Sequence, residues 1–366
     1  MNILYTVIGV FSLLGALDLI LGNRFGIGKD FERGIMLLGT MTLSMVGMIS
    51  FAPLFAALLR EPLLWLADRI PFEPSLIAGS LLANDMGGAP LAMELATSER
   101  VGLFNGLVVG ATMGATVSFT LPFALGATEK EQHKSVLLGI LCGIATVPVG
   151  CLVAGIMMGL SPAELALNLI PLLLFAGVLV FGLVKAPDLT AKIFGVFGQG
   201  VKILVTVGLA LAIFTFLTDI PLLPHFAPLE EGMTVVINAA AVMTGMFPLL
   251  SLLGRLLDRP LRALGRKIGI NSTSALGFVA TLATNVTTFG MMKDMDRRGT
   301  VLNSAFAVSA AFTFAGHLAY TLAFPKGEAC LGAVIVCKLL SGVASLLLAY
   351  LLFCRKPNGE AEEAHT

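Results

Sequence analysis

The chain has 366 residues, 57% hydrophobic and only 13% charged, and its 23 basic and 23 acidic side chains leave no formal net charge. Mean hydropathy is +0.92, which excludes a soluble domain, and balanced charge without a basic, aromatic-interleaved cluster excludes a nucleic-acid binder. Apolar stretches near the ~20 residues that cross a bilayer core as helix recur from end to end.

In chain order, spans are expected at 2–22, 34–59, 101–126, 135–160, 163–184, 201–222, 232–257, 299–324 and 330–354. The first carries no basic n-region and no small-residue cleavage site, so it reads as a span rather than a removed signal peptide. Amphipathic pieces at 61–70, 187–200 and 259–270 are expected along the interface, and the charged segment 356–366 as a cytoplasmic tail. Cys142, Cys151, Cys330, Cys337 and Cys354 are odd in number and lack metal-type spacing, which suits small apolar packers. HExxH, paired CxxC, P-loop and dinucleotide motifs are missing, so no enzyme and no cofactor is expected.

Two further segments, 75–97 and 274–294, hold polar runs: LLANDMGG, with Asn84 and Asp85, and TLATNVTT, with Thr284 and Asn285. A carboxylate at mid-membrane depth costs roughly 2.5–3.5 kcal/mol on insertion scales. Paired interruptions of this kind point to the substrate site of a secondary transporter. Basic residues decide whether the segments cross. With both re-entrant, and Lys338 set aside inside the membrane, 18 basic residues fall on one side and only Arg60, Arg69, Arg100 and Lys326 on the other; with both crossing, the best split is 13 to 9.

The halves also look duplicated. Gly47-Met48 answers Gly245-Met246, Glu61-Pro62 answers Arg259-Pro260, Leu82-Ala83 answers Leu282-Ala283, and Asn105 answers Asn303, at offsets of 198 to 200. Five crossings between equivalent points make the repeats inverted. The predicted fold is an all-α polytopic membrane protein with nine spans and two re-entrant helical hairpins in two inverted repeats. Residues 1–184 form the first repeat with a connecting span and 185–355 the second; the N-terminus is outside and the C-terminus cytoplasmic. Self-association stays open.

At the first tip, Asp85 and free carbonyls would converge on a spot suited to an ammonium or Na⁺, with Asn84 beside them and Gly87 and Gly88 permitting the reversal; equally, Asp85 could only cap the returning half-helix. Thr281, Thr284, Asn285, Thr287 and Thr288 offer hydroxyls and an amide to a substrate or ion, or merely satisfy broken backbone. Asn105 and Asn303 serve as ligands or as interhelical glue. His317 packs, senses pH or shuttles a proton. Lys338 snorkels outward or turns inward to pair with a carboxylate, Asp85 being the candidate. Asp18, Glu164 and Asp219 near span ends need only interfacial solvation.

LLANDMGG together with ATLATNVTTFGMMKDMDRRGTVLNSAFAVSAAF and the following GHL, which contains His317, resembles the ethanolamine utilisation permease family, EutH. The likeness runs from the second span to Lys338. It implies a bacterial inner-membrane protein admitting ethanolamine, above all when the amine is protonated. The chain departs from the family pattern in two places. Thr284-Asn285-Val286-Thr287 stands where the family has two adjacent Asn and a Pro, and Gly316 stands where it has an acid before the His. The alternatives are Na⁺- or H⁺-coupled symport of another small polar solute, and a non-transport role as a membrane sensor or assembly component.

Overall fold

The structure is a computed structural model and describes residues 3–354, except the side chains of residues 257, 258, 261, 262, 264 and 266. The expected tail, Arg355, Lys356 and the side chains of Arg262 and Arg266 lie outside the described residues. Among those residues the secondary structure is helical, with no strand. In chain order the helices are α1 (Ile3–Ile20), α2 (Gly28–Met41), α3 (Gly47–Ala67), α4 (Ser75–Leu81), α5 (Gly88–Leu95), α6 (Glu99–Leu103), α7 (Leu121–Ala127) and α8 (His133–Met157). They continue with α9 (Pro162–Lys185), α10 (Pro187–Thr218), α11 (Leu229–Ile268), α12 (Ser272–Ala283), α13 (Asn285–Gly290), α14 (Arg297–Ala310), α15 (Gly316–Ala323) and α16 (Leu331–Ala349). A π-turn joins α2 to α3, and π-helical stretches over Phe104–Gly114 and Thr116–Thr120 join α6 to α7.

Eight of the resulting helical runs are long and apolar enough to cross a membrane. Leu174, Val178 and Phe181 form an exposed stripe on α9 at helical spacing, as do apolar residues of α1 and α10, which is the surface a lipid tail covers. The expected span 299–324 differs: α14 stops at Ala310, residues 311–315 are not helical, Phe312 takes a positive φ of 60°, and α15 restarts at Gly316. The freed amides of Phe312 and Phe314 donate to the carbonyls of Thr281 and Leu282 at 3.2 and 3.0 Å, so the break is stitched to the end of α12.

The amphipathic pieces are not separate elements. Residues 61–67 continue α3, 187–200 open α10, and 259–268 close α11. Pro62 and Pro260 lie inside those helices. The run Gly28–Ala67 has 40 residues, about 60 Å at 1.5 Å per residue, twice the hydrocarbon thickness, so its ends must leave the core. Asp18 is also explained differently. It is buried, and its carboxylate accepts the amides of Phe25, Ile27 and Gly28 at 2.8–2.9 Å, closing the α1–α2 turn.

Element boundaries recur along the chain. Ile20 and Thr218 close α1 and α10, Glu99 and Arg297 open α6 and α14, and His133 and Leu331 open α8 and α16, each pair 198 residues apart. Gly47 meets the Val205 carbonyl of α10, and its counterpart Gly245 meets the Ile8 carbonyl of α1; a Cβ fits at neither. Asn105 donates its amide to Ser75 Oγ and Asn168 Oδ1 at 2.8 and 2.7 Å, and Asn303 donates to the Ser274 and Gly299 carbonyls at 2.9 Å. Each ties the start of a polar-tipped segment to the helix that follows. Asn105→Ala is expected to lower stability by about 0.6–1.7 kcal/mol, the range for interhelical bonds in membranes, without changing the half-saturation of uptake; detergent melting curves and uptake titrations check this.

Candidate functional site

The first polar run breaks its helix. α4 has seven residues, too short to cross, and Ala83 leaves the helix to accept the amides of Met86 (3.0 Å) and Gly88 (2.9 Å). Gly87 takes φ +95°, and the Met48 side chain occupies the place of its missing Cβ. α4 and α5 pack against one another across this turn. The Ala83 amide donates to Ser118 Oγ at 3.1 Å. Asn84 is fully buried, yet neither end of its amide has a partner. Asp85 is half-buried, and among the described residues no side chain donates a hydrogen bond to its carboxylate.

The second run breaks at Thr284, which is extended and whose hydroxyl accepts the Val286 amide at 3.2 Å, capping α13. Thr281 and Thr288 hydroxyls lie 2.8 Å apart and both donate to the Gly277 carbonyl, at 2.9 and 3.2 Å. Their hydrogen bonds are spent inside the turn. Asn285 donates to Thr120 Oγ1 at 3.0 Å, leaving its buried Oδ1 unpartnered.

Both tips and the break at 311–315 open on one cavity of about 410 Å³, within the usual size range of small-ligand pockets. Asp85, Thr284 and His317 line it, with Met41, Met45 and Met243 and the rings of Phe119, Phe247 and Phe312 as apolar walls. Arg33 stands at its edge, its guanidinium 4.5 Å from the centre of the Phe247 ring. Asn84, Asn285 and Thr281 belong to the tips but do not line the cavity, and Asn105 and Asn303 lie away from it at the helix ties.

Lys338 sits directly behind His317, buried, donating to the Ala111 carbonyl at 2.6 Å with His317 Nδ1 at 3.0 Å. It turns inward as one reading required, but the partner it touches is the imidazole; Asp85 is within electrostatic range rather than in contact. Three features went unread in the sequence: the third break, the Phe119–Phe312 pair 6.0 Å apart, and Tyr320, whose buried hydroxyl has no partner. The run FTFAG before His317 contains only Gly316 as a signal. Among the described residues no group of three or more His, Cys, Asp or Glu could hold a metal ion.

Fold and site together define a multi-pass helical membrane protein with a small, singly acidic cavity where broken helices meet. The family of the ethanolamine utilisation protein EutH matches residues 1–352, and the chain belongs to that family. It is 42% identical over 337 residues to the probable ethanolamine permease EutH of Listeria monocytogenes, covering 92% of this chain and 90% of the relative. It is 35% identical over 394 residues to the protein of the same description from Salmonella typhimurium, covering 97% and 95%, and 37% identical over 343 residues to the uncharacterized protein YxeR of Bacillus subtilis, covering 94% and 92%. No solved structure matches. The family resemblance read from the polar runs therefore holds, and a permease rather than an enzyme is what the Listeria and Salmonella relatives are described as.

Proposed function

We propose that this protein carries ethanolamine, as its ammonium cation, across the bacterial inner membrane, with Asp85 holding the charge and Thr284 facing the alcohol. The observation that carries the reading is the convergence of three helix breaks on one cavity whose only carboxylate, Asp85, has no side-chain hydrogen-bond donor among the described residues. A carboxylate facing the cavity in this way attracts a cation, and the aromatic walls add ring faces that suit one. An amine with a pKa near that of Lys is almost all cation at neutral pH, and acidification depletes its lipid-permeable form about tenfold per pH unit. The descriptions of the Listeria and Salmonella relatives support the choice of amine.

The architecture that fits is nine crossings, the eight long runs plus α14–α15, with α4–α5 and α12–α13 as re-entrant hairpins and α9 joining two inverted repeats. A second cavity of about 690 Å³ supports it, lined by Ile49, Glu231, Val235, Asn238, Glu94 and Glu99 among others. Glu231, Val235 and Asn238 are the 198-residue counterparts of Arg33, Leu37 and Thr40 in the first cavity, and Ile49 is the counterpart of Phe247. Equivalent positions lining two separate chambers are what inverted repeats would produce. The positive-inside rule turns the Arg33 cavity to the cytoplasm and the acidic chamber outward, where a cation arrives. α15 separates them, and alternating access would open one at a time.

Labelled-ethanolamine uptake into proteoliposomes tests this. Saturable uptake, competed by related small amines and indifferent to sodium, is expected. A sodium requirement would make the protein a symporter with Asp85 beside the ion, and lack of competition by any amine would remove the substrate assignment.

A further inference from the structure

We propose that each imported ammonium is exchanged for one proton, which Lys338 and His317 hold and release; this rests on the amine-carrier reading above. Lys338 and His317 are 1% and 3% exposed, and the Lys338 amine donates to the Ala111 carbonyl and lies 3.0 Å from His317 Nδ1. A protonated Lys338 can only donate, so Nδ1 then accepts and the imidazole proton sits on Nε2, the other nitrogen of a side chain that lines the cavity. The pair is a two-step wire from a buried amine to the substrate chamber.

Charge counting gives the wire its work. The titratable groups around Lys338 are His317 of α15, Asp85 of the first tip (which also interacts with Tyr320), Cys337 of its own helix, and Cys151 of α8, whose sulfur lies 3.9 Å from that of Cys337. On α14 the only ionisable side chains, Arg297 and Arg298, are at the end remote from Lys338, since Phe306 and Ala310 are what meet Gly342 one turn further along α16. Arg33 is exposed at the cavity edge, so within the buried set Asp85 and a protonated Lys338 cancel in the empty protein. An arriving ammonium makes two cations against one carboxylate in a water-poor site, and an unmatched buried charge is strongly unfavourable. Balance returns when a Lys338 proton passes to Nδ1 while the Nε2 proton leaves to cavity water, which yields a neutral amine, a neutral imidazole of the other tautomer and one released proton. Discharge of the ammonium on the far side allows the reverse steps to take up a proton there.

The exchange is electroneutral, and that is what the experiment reads. In proteoliposomes, with the flux of protein-free vesicles subtracted and external pH low enough that the amine is essentially all cation, initial uptake is measured with and without a potassium diffusion potential, and with the interior made one pH unit more acidic than the exterior. Wild-type uptake is expected to ignore the potential and rise at least threefold with the proton gradient. Lys338→Met is expected to follow the potential and ignore the gradient, and His317→Gln to lose at least tenfold in gradient-driven uptake. Acceleration of the wild type by a negative-inside potential would overturn the proposal, as would a rate at fixed total amine that tracks the neutral fraction tenfold per unit of external pH. The wild-type measurements decide the matter even if a variant fails to fold. Failure of the amine-carrier reading looks different: no saturable, protein-dependent uptake under any gradient.

Discussion

Asp85→Asn is expected to abolish saturable uptake of the charged amine, lowering uptake efficiency by 100-fold or more at unchanged expression. Asn is nearly the same size, so the 3₁₀ turn over Asn84–Met86 and the Gly88 bond to Ala83 survive. What disappears is the single full negative charge at the tips. Truncating one partner of a desolvated, hydrogen-bonded charge pair costs about 2–5 kcal/mol, and 1.4 kcal/mol is tenfold. The upper part of that range applies because the cavity walls are Met and Phe and because Lys338, at electrostatic distance, would then repel the incoming cation without opposition. Asp85→Glu keeps the charge but pushes it further into the chamber, so partial activity is expected. Concentration-dependent uptake in proteoliposomes, normalised to reconstituted protein, checks both; normal saturable uptake by Asp85→Asn would remove Asp85 from the mechanism.

Gly87→Ala is expected to be the most damaging single-methyl change at the first tip. A non-glycine residue in the left-handed region costs roughly 1–2 kcal/mol, and forcing a methyl into the space of Met48 adds overpacking of about 1–3 kcal/mol. The two contributions separate experimentally. Pairing Gly87→Ala with Met48→Ala should recover the overpacking part and leave the backbone part, a non-additivity visible in a double-mutant cycle of detergent melting temperatures. Strict additivity of the two single changes would mean that Met48 does not hold the turn.

The polar runs were legible because each sets groups of high transfer cost in a stretch that is otherwise apolar, and the helices do break there, at Leu82–Ala83 and at Thr284. The duplication was legible because Gly47 and Gly245 are demanded by backbone contacts that admit no side chain. The break at 311–315 was not legible: Ala311, Phe312, Thr313 and Phe314 read as ordinary apolar helix, and what unwinds them is a pairing with Thr281 and Leu282, some thirty residues away in sequence. Pro62 and Pro260 misled in the opposite sense. They lie in the pieces read as separate interfacial segments, yet the helices run through both prolines. Within the site, the type of residue was readable and the direction was not. Asn105 and Asn303 share the chemistry of ligands, yet their amides are committed to Ser75, Asn168, Ser274 and Gly299.

The stitching of Phe312 and Phe314 to Thr281 and Leu282 makes the two tips mechanically unequal. Two main-chain bonds sheltered from water weld the second tip to the α14–α15 junction, so these must travel as a single block. The first tip is held differently, by the Ala83 amide on Ser118 Oγ and by close packing of Gly79 on the Asn105 carbonyl and of Gly114 on the Leu82 carbonyl. In the proposed carrier cycle the second tip and the α14–α15 junction would therefore move together, and the tip bearing the acid stands outside that linkage.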